Sequence, residues 1–397
     1  MTALSGQATG AARYEDTPEQ RDLRSAVASL GARYGWDYFR RCARQGRRTD
    51  ELWAEAGRAG FLGVAVPQEY GGGGGGIAEL ALVCEELARA GCPLLLTVVS
   101  PAICGTVITR FGTDDQRARW LPGFADGSTT MAFAITEPDA GSNAHRLATV
   151  ARRDGEGWVL SGRKQWISGV DGADAVLVVA RLADRAASDR LRPALFVVPT
   201  DAPGLSYRRI EMELVSPEGQ FEVLLDGVRL PAEQLVGDPG DGLPLLFAGL
   251  NPERILVASF CNGISRFALH RASDYARERA VWGTPIGAHQ AVAHPLAASH
   301  VEVELARLME RKASALYDAG RDAEAGEAAN FAKYAAGEAV ARAVDAAVQA
   351  HGGAGLATEY GVGALLGLSR VARIAPVSRE MLLNYVAQHS LRLPRSY

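Results

Sequence analysis

Apolar residues change their spacing twice along the chain. From residue 1 to about 129 they recur at helical intervals, as at Leu52, Trp53 and Ala56. Between residues 130 and 240 the apolar period shortens to about two residues, which is typical of β-strands. From residue 241 to 397 the helical period returns. These stretches predict an α+β fold with an N-terminal helical domain, a middle antiparallel β-domain and a C-terminal helical bundle.

Several predicted helices have distinct sequence markers. Thr17, Pro18 and Gln20 stand in the order of an N-terminal capping box, which predicts a helix from there to about residue 34. Three long helices are predicted in the C-terminal part. Their markers are Leu256, Phe260, Ile264 and Phe267 for the first, Val301, Leu305 and Leu308 for the second, and the alanine-rich stretch 329–350 for the third.

Composition narrows the class of protein. The chain has 397 residues, of which 48% are hydrophobic and 22% charged, as in ordinary globular proteins of two or three domains. A net charge of -4 gives no electrostatic reason to expect nucleic acid or an anionic membrane as a partner. The five cysteines form no CxxC pair, which favours reduced thiols. No signal peptide or membrane-spanning run is recognised, so a cytoplasmic location is predicted.

Candidate chemistry concentrates in the segment 131–169. An alternating run that ends at Thr136 predicts a strand, and Pro138 stops it because proline cannot donate to a sheet ladder. A loop of small residues follows, and such a loop lets backbone N–H groups and a hydroxyl approach an anionic ligand. After a predicted hairpin, a second strand ends with Trp166 and Ser168. The segment supplies two strand ends with hydroxyls and one large flat aromatic side chain.

This segment resembles the signature of the acyl-CoA dehydrogenase family. The family reads roughly A-x-T-E-P-x-A-G-S-D and, further along, W-I-T/S, while the chain has AITEPDAGSN and then WIS. One departure is Asn143, where the family usually has Asp. The resemblance covers nearly the whole chain. It implies an N-terminal helical domain (1–129), a middle antiparallel β-barrel-like domain (130–240) and a C-terminal four-helix bundle (241–397).

The resemblance also implies the cofactor FAD, bound between the β-domain and the C-terminal helices. The Thr136 hydroxyl is then expected at the pyrimidine edge of the flavin, where a preorganised donor stabilises negative charge. Ser168 is expected near N5 and Trp166 against the ring. Taken singly, the two hydroxyls are ordinary strand-end groups and Trp166 is a core residue. The FAD-binding residues expected in this segment are Phe133, Ile135, Thr136, Ser142, Trp166 and Ser168, with Ser142 also a candidate contact to the substrate.

Two further matches lie in the C-terminal part. Residues 279–290 resemble the family's R-x-x-F-G-x and H-Q, with Trp282 in place of Phe, and QAHGGAGLATEY matches a later stretch. Arg279 is the expected diphosphate partner because a guanidinium binds such oxygens as a fork, although helix-dipole complementation is an alternative. In the family these residues reach the FAD of a neighbouring subunit, which implies a homotetramer or a dimer. The FAD-binding residues expected here are Arg279, Trp282, Gln290, Gln349, Gly352, Gly353 and, in a later motif, Ser378.

The family reaction is α,β-desaturation of an acyl thioester, in which a carboxylate removes the α-proton. The usual Y-E-G-T motif falls on residues 375–378, where Pro376 replaces the Glu and lacks the backbone N–H that the family directs at the thioester carbonyl. Other members carry the base just before an Arg on the first long C-terminal helix. Glu253 is therefore the candidate base, and Arg254 the candidate contact to the substrate or its carrier. The alternative for Glu253 is a Glu favoured by the dipole in a first helical turn.

Three functions are consistent with these features. The first is desaturation of an acyl-CoA or acyl-carrier-protein thioester, with an electron-transfer flavoprotein as the implied partner. The second is a flavin-dependent monooxygenase on the same fold, which needs oxygen and no carboxylate base. The third is a flavoprotein without catalysis, which the intact cofactor motifs disfavour. Substitutions near the usual base, such as Gly367, Ala372 and Ala375, favour a substrate unlike a plain straight-chain acyl group.

Overall fold

The computed structural model describes residues 15–183, 192–239 and 242–395. The N-terminal part is helical, and a π-helical segment, Val98–Gly105, leads directly into its fourth helix. The capping box is confirmed: the Thr17 side chain accepts from the N–H of Gln20, and the first helix continues beyond its predicted end through a kink at Gly35. The helices are α1 (Pro18–Arg44), α2 (Asp50–Arg58), α3 (Ile77–Arg89), α4 (Thr106–Phe111) and α5 (Asp114–Asp126).

The strands of the middle part form one sheet in the order β6-β7-β3-β2-β4-β5-β8, with β1 also beside β4. The predicted α+β class is confirmed, but the wholly antiparallel barrel is not. Strands β1 and β2 run parallel to β4, and among the described residues the two edge strands do not pair to close a barrel. A period of two predicts strands without specifying their partners. The strands are β1 (Met131–Ala134), β2 (Val150–Asp154), β3 (Gly157–Ser168), β4 (Ala175–Leu182), β5 (Pro193–Pro199), β6 (Leu205–Ile210), β7 (Gln220–Leu230) and β8 (Leu235–Val236).

The central strand β4 separates two hydrophobic cores. Leu177 and Val179 face the larger core, which the strand shares with the helices. Val176 and Val178 face a smaller core inside the β-region. Both faces of β4 are therefore buried, which explains its continuous run of apolar residues. The sheet is held against the helical part by this shared core.

The C-terminal part is built on three long helices that pack on one another. The shorter helices α9 and α10 pack against α8, and a small hairpin joins α6 to α7. Helix α6 also packs on α3, and it does so closely at Gly263: a Cβ added there would lie 2.4 Å from the carbonyl oxygen of Glu85. The elements are α6 (Gly242–Glu278), β9 (Ala280–Val281), β10 (Thr284–Pro285), α7 (Gln290–Asp318), α8 (Asp322–His351), α9 (Leu365–Ile374) and α10 (Arg379–Tyr385).

The apolar face of α7 points away from the rest of the chain. The predicted helix is present, but its markers Val301, Leu305 and Leu308 are 58%, 61% and 45% exposed. Helix α7 instead buries smaller residues, including Val303 and Ala306, towards α6 and α8. An exposed stripe of large apolar residues along a helix indicates a surface that another molecule covers.

Two findings bear on the class of protein. All five cysteines are buried free thiols, in agreement with the expectation from their spacing. Among the helices of the described residues, none combines the length and the apolarity that a membrane crossing requires.

Candidate active site

Trp166 lies at a β-bulge near the end of β3. Pairing between β3 and β7 is regular from Gly162 opposite Leu225 to Lys164 opposite Val223 and resumes at Ile167 opposite Phe221, so β3 carries one extra residue between these pairs. The backbone of Trp166 has a φ of 63°, in the left-handed region that large side chains seldom adopt. The alternative of a core position is wrong, because the bulge leaves the indole 48% exposed.

A buried ion pair fixes the strand ends beside this bulge. Lys164 Nζ lies 2.8 Å from Glu137 Oε1 and donates to the carbonyl of Ile135 at 2.9 Å. The Glu137 carboxylate also accepts from the N–H groups of Ala148 (2.6 Å) and Thr149 (2.9 Å). Burial acts to raise the pKa of Glu137, but Lys164 and these donors outweigh it and hold that pKa below its ordinary value. Burial lowers the pKa of Lys164 to about 8.

Thr136 and Ser168 sit where the sequence predicts them, just after β1 and at the end of β3. The N–H of Gln165 donates to the carbonyl of Thr136 at 2.9 Å, which ties the two segments together. The Ser168 hydroxyl accepts from Gln220 Nε2 at 2.9 Å. Sequence reasoning missed Gln220, because only the register of β3 against β7 brings it opposite Ser168.

The other predicted residues of this segment differ in exposure. Phe133 packs into the larger core and is only 8% exposed. Ile135 is half-buried against the same core. Ser142 is exposed in the loop after β1. A Cβ added at the neighbouring Gly141 would meet no atom within 4 Å, so this loop leaves room for a ligand.

The predicted residues of the C-terminal part form a second, exposed group. Trp282 stands at the tip of the β9–β10 hairpin and is 91% exposed. Its φ of 52° and the φ of 77° at Gly283 are those of a tight two-residue hairpin turn. Arg279 and Gln290 flank this turn at the surface. The end of α8 contributes Gln349, Gly352 and Gly353, which are exposed as well.

Glu253 lies well inside α6, whose described part begins at Gly242. The alternative of a dipole-stabilised Glu in a first turn is therefore wrong. No hydrogen bond or ion pair of its carboxyl group is found among the described residues, although part of the side chain still reaches solvent. Burial raises the pKa of Glu253 to about 7, while the charges of Arg254 and Lys333 act in the opposite direction.

The surroundings of Glu253 connect it to the β-region. Arg254 is buried, and its Nη1 donates to Asn251 Oδ1 at 3.0 Å, while its Nε finds no hydrogen-bond partner among the residues that the structure describes. Burial, and secondly the charge of Glu253, raise the pKa of the Cys104 thiol in the π-helical segment. Cys104 Sγ in turn approaches the carbonyl of Ala132 on β1 at 3.6 Å. The π-helical segment therefore lies between α6 and the strand that ends at the predicted flavin site.

Residues 375–378 connect α9 to α10. Ser378 caps α10, since its Oγ accepts from the N–H of Met381 at 3.3 Å. That hydroxyl, expected at the cofactor, thus has a structural partner within the chain. Lys333 donates from α8 to the carbonyl of Val377. Sequence reasoning missed Lys333, because a lysine in an alanine-rich helix carries no local signal of its burial.

Comparison with known proteins shows to which family the chain belongs. Models of the acyl-CoA dehydrogenase N-terminal, middle and C-terminal domains match residues 17–128, 132–222 and 240–391. Acyl-CoA dehydrogenase FadE12 of Mycobacterium tuberculosis (strain ATCC 25618 / H37Rv) is 64% identical over 97% of this chain and 99% of its own. The chain belongs to the acyl-CoA dehydrogenase family.

Solved structures agree with this membership. A glutaryl-coenzyme A dehydrogenase in complex with glutaryl-CoA has a TM-score of 0.91 at 29% identity, covering 96% of this chain and 98% of that one. A glutaryl-CoA dehydrogenase from Mycobacterium smegmatis in complex with FADH2 has a TM-score of 0.88 at 26% identity, covering 98% of each chain. As a member of this family, the protein is an FAD-dependent oxidoreductase of the class that desaturates acyl-CoA. The predicted family, enzyme class and cofactor are therefore confirmed.

The residues present fit FAD. The outward indole of Trp166 offers a flat surface beside the strand ends that carry Thr136 and Ser168. A Cβ added at Gly352 or Gly353 would meet nothing within 4 Å, so the backbone there is open to close approach. A flavin ring beside Trp166 and a diphosphate beside Gly352 and Gly353 are consistent with these surroundings.

The buried ion pair leads to a first prediction. Lys164→Met leaves the Glu137 carboxylate buried without its cation, and breaking such a pair typically costs about 3–5 kcal/mol. The loop after β1 then loses its anchor, and we expect purified Lys164→Met to retain less FAD per chain and to unfold at lower urea concentration. Flavin absorbance per chain and urea unfolding measure the two effects.

The matched control for this variant is Arg163→Met. Arg163 is the neighbouring residue, and its ion pair with Glu222 is exposed, so its loss is expected to change stability by at most about 1 kcal/mol. Equal flavin content and equal stability in the two variants would show that the buried pair does not organise the site.

Proposed function

We propose that this protein desaturates an acyl-CoA thioester with Glu253 as the base that removes the α-proton. Two observations on its carboxyl group support this role. Burial raises its pKa to about 7, and no hydrogen-bond or ion-pair partner of the group is found among the described residues. An unpaired acid whose pKa lies near the working pH suits proton transfer.

Each neighbouring side chain has a part in the proposed step. Glu253 accepts the α-proton, and the bound FAD supplies the acceptor for the β-hydride. Arg254 is held by Asn251 and keeps a buried Nε donor for an acceptor atom of the thioester or its carrier. The positive charges of Arg254 and Lys333 oppose the effect of burial on Glu253, so that a substantial fraction of the base is ionised at neutral pH.

A second copy of the chain is proposed to complete the cofactor site. The group around Arg279 and Trp282 is exposed on the single chain, although its residue types suit a diphosphate and a flat ring. The exposed apolar stripe of α7 offers a surface for another copy. A homotetramer, or a dimer, is consistent with both features. An electron-transfer flavoprotein is the proposed acceptor of the electrons, by resemblance to the family.

The loop between α9 and α10 bears on the choice of substrate. Pro376 has no N–H to donate to a thioester carbonyl, and one such donor typically contributes about 2.7–4 kcal/mol to transition-state stabilisation. The side chains at Gly367, Ala372 and Ala375 are small. We therefore propose a thioester whose α-proton is already acidified by a neighbouring group, or whose acyl chain is branched or cyclic. The carrier is proposed to be CoA, with an acyl carrier protein as the alternative.

Replacing the base tests the mechanism. Glu253→Gln is expected to keep FAD and the fold, because the amide has nearly the same shape. Flavin reduction by an acyl-CoA, followed without oxygen in a stopped-flow spectrometer, should slow by about 10²–10⁴-fold or more. The wild-type rate should fall as pH drops below about 7, because only the ionised carboxylate accepts a proton.

Glu324→Gln serves as the control, since Glu324 is an exposed residue of α8 paired with Arg321. If an acyl-CoA reduces the flavin of Glu253→Gln at the wild-type rate, another residue is the base. A flavin that no thioester bleaches, but that an external reductase and oxygen turn over, would identify the monooxygenase instead.

Arg279 tests the shared cofactor site. Arg279→Ala removes the proposed fork to the diphosphate, so the variant is expected to bind FAD more weakly while its secondary structure stays intact. FAD retention during gel filtration measures cofactor binding, and the molar mass in solution measures the oligomeric state. Arg277→Ala is the matched control, because Arg277 is exposed two residues earlier and pairs with Asp274. Tight FAD binding by a monomeric Arg279→Ala would refute the role.

Pro376→Gly tests the missing donor. Restoring an N–H should raise the rate on butyryl-CoA, by up to about 10²–10³-fold if the full contribution of one donor returns. The rate on thioesters with an activating group next to the α-carbon should change much less. Pro376→Ala is the second variant, since it restores the N–H with less backbone freedom. Wild-type turnover of butyryl-CoA at about 10 s⁻¹ would show that the loop needs no such donor.

A further inference from the structure

Lysine is rare in this chain. Only three of the 42 basic Lys and Arg residues are lysines. Lys312 is exposed on α7, whereas Lys164 and Lys333 are 0% and 1% exposed. Lys164 belongs to the ion pair beside the flavin site. Lys333 has no part in the family motifs that the sequence displays, so its burial needs a separate explanation.

The Lys333 side chain spans from α8 to the loop between α9 and α10. Its Nζ donates a hydrogen bond to the carbonyl oxygen of Val377. Val377 follows Pro376 and precedes Ser378, the N-cap of α10. The ammonium group therefore connects the middle of a long, rigid helix to the short loop where the family usually carries its base.

The charged and titratable groups facing Lys333 come from two further elements. Helix α6 contributes Glu253, Arg254 and Cys261, and α10 contributes Glu380. Burial lowers the pKa of Lys333 to about 8, and Cys261 and Glu253 act against this effect. The influence is mutual, because the charge of Lys333 lowers the pKa of Glu253. The two side chains form no direct ion pair among the described residues, so they act on each other through space.

We propose that Lys333 is a positioning residue of the dehydrogenation site: its ammonium group ties residues 375–378 to α8, and its charge acts on the Glu253 carboxylate across the contact between α8 and α6. The inference rests on the proposed function in so far as Glu253 is the base. A buried ammonium with one carbonyl partner costs desolvation energy that an apolar side chain of similar length avoids. Its electrostatic effect on Glu253 supplies a reason for lysine at this position.

A pH profile tests the electrostatic part. In Lys333→Met the acid limb of flavin reduction should move to higher pH by about one unit, since Glu253 loses a positive neighbour. The rate below that limb should fall about tenfold, and it should approach the wild-type rate at high pH. Lys333→Arg should restore the limb because it keeps the charge, and Lys312→Met is the exposed control. An unmoved acid limb in Lys333→Met overturns the proposal.

A second measurement needs no activity. Lysine labelled with ¹³C at Cε gives only three side-chain signals in this chain, which single variants assign. The signal of Lys333 should titrate near pH 8 in the wild-type holoenzyme. In Glu253→Gln its midpoint should fall further, because the carboxylate that favours the ammonium is gone. An unchanged midpoint in that variant shows that the two groups are not coupled and overturns the proposal.

Backbone hydrogen exchange tests the connection to the loop. Residues 375–385 should exchange faster in Lys333→Met than in Lys312→Met, while the middle of α6 stays protected in both. Equal exchange in the two variants removes the positioning role. If no thioester reduces the flavin of any variant, the proposed function fails, and the NMR titration and hydrogen exchange still decide the role of Lys333.

Discussion

The ion pair between Lys164 and Glu137 is the constraint on which the strand ends at the proposed flavin site depend. Removing two charges from water is costly, and here the cost is offset because every partner is present: the ammonium has a carboxylate and a carbonyl, and the carboxylate has two backbone N–H donors. These contacts join β3, the end of β1 and the start of β2. The bulge at Trp166 lies two residues after Lys164 on β3. Its unfavourable backbone conformation persists because the ion pair fixes the chain before it and the pairing with β7 fixes the chain after it.

Local sequence patterns predicted the helices well, and they were less informative about which faces are covered. The stripe from Leu256 to Phe267 is buried, as a stripe of this kind suggests. The stripe from Val301 to Leu308 has the same spacing and faces outward. Periodicity records that an apolar face exists, whether the chain itself or another molecule covers it. The sheet shows the same limit, because alternation predicted its strands but not the parallel pairing of β1 and β2 with β4.

The candidate site divides in a similar way. The positions of Thr136 and Ser168 near strand ends could be predicted because they lie in contiguous motifs. Gln220 and Lys333 could not, since the first depends on the register of two strands and the second on the packing of α8 against a distant loop. The sequence also did not show that Glu253 lies inside α6 rather than in its first turn, because the helix starts well before the Glu-Arg pair. Long-range packing thus supplies the partners that give the motif residues their surroundings.

The location of the proposed base explains why the loop after α9 needs an anchor. A carboxylate in the third turn of α6 or beyond is positioned by helix backbone and by the packing of this helix against α3 and α8. Residues 375–378 then carry no acid, yet they still border the space that a thioester must enter if the family arrangement holds. Pro376 removes one donor from this loop, and Ser378 is used to cap α10. Among the described residues, Lys333 donates from α8 to the carbonyl of Val377, so the lysine proposed to act on Glu253 also ties this loop to the interior.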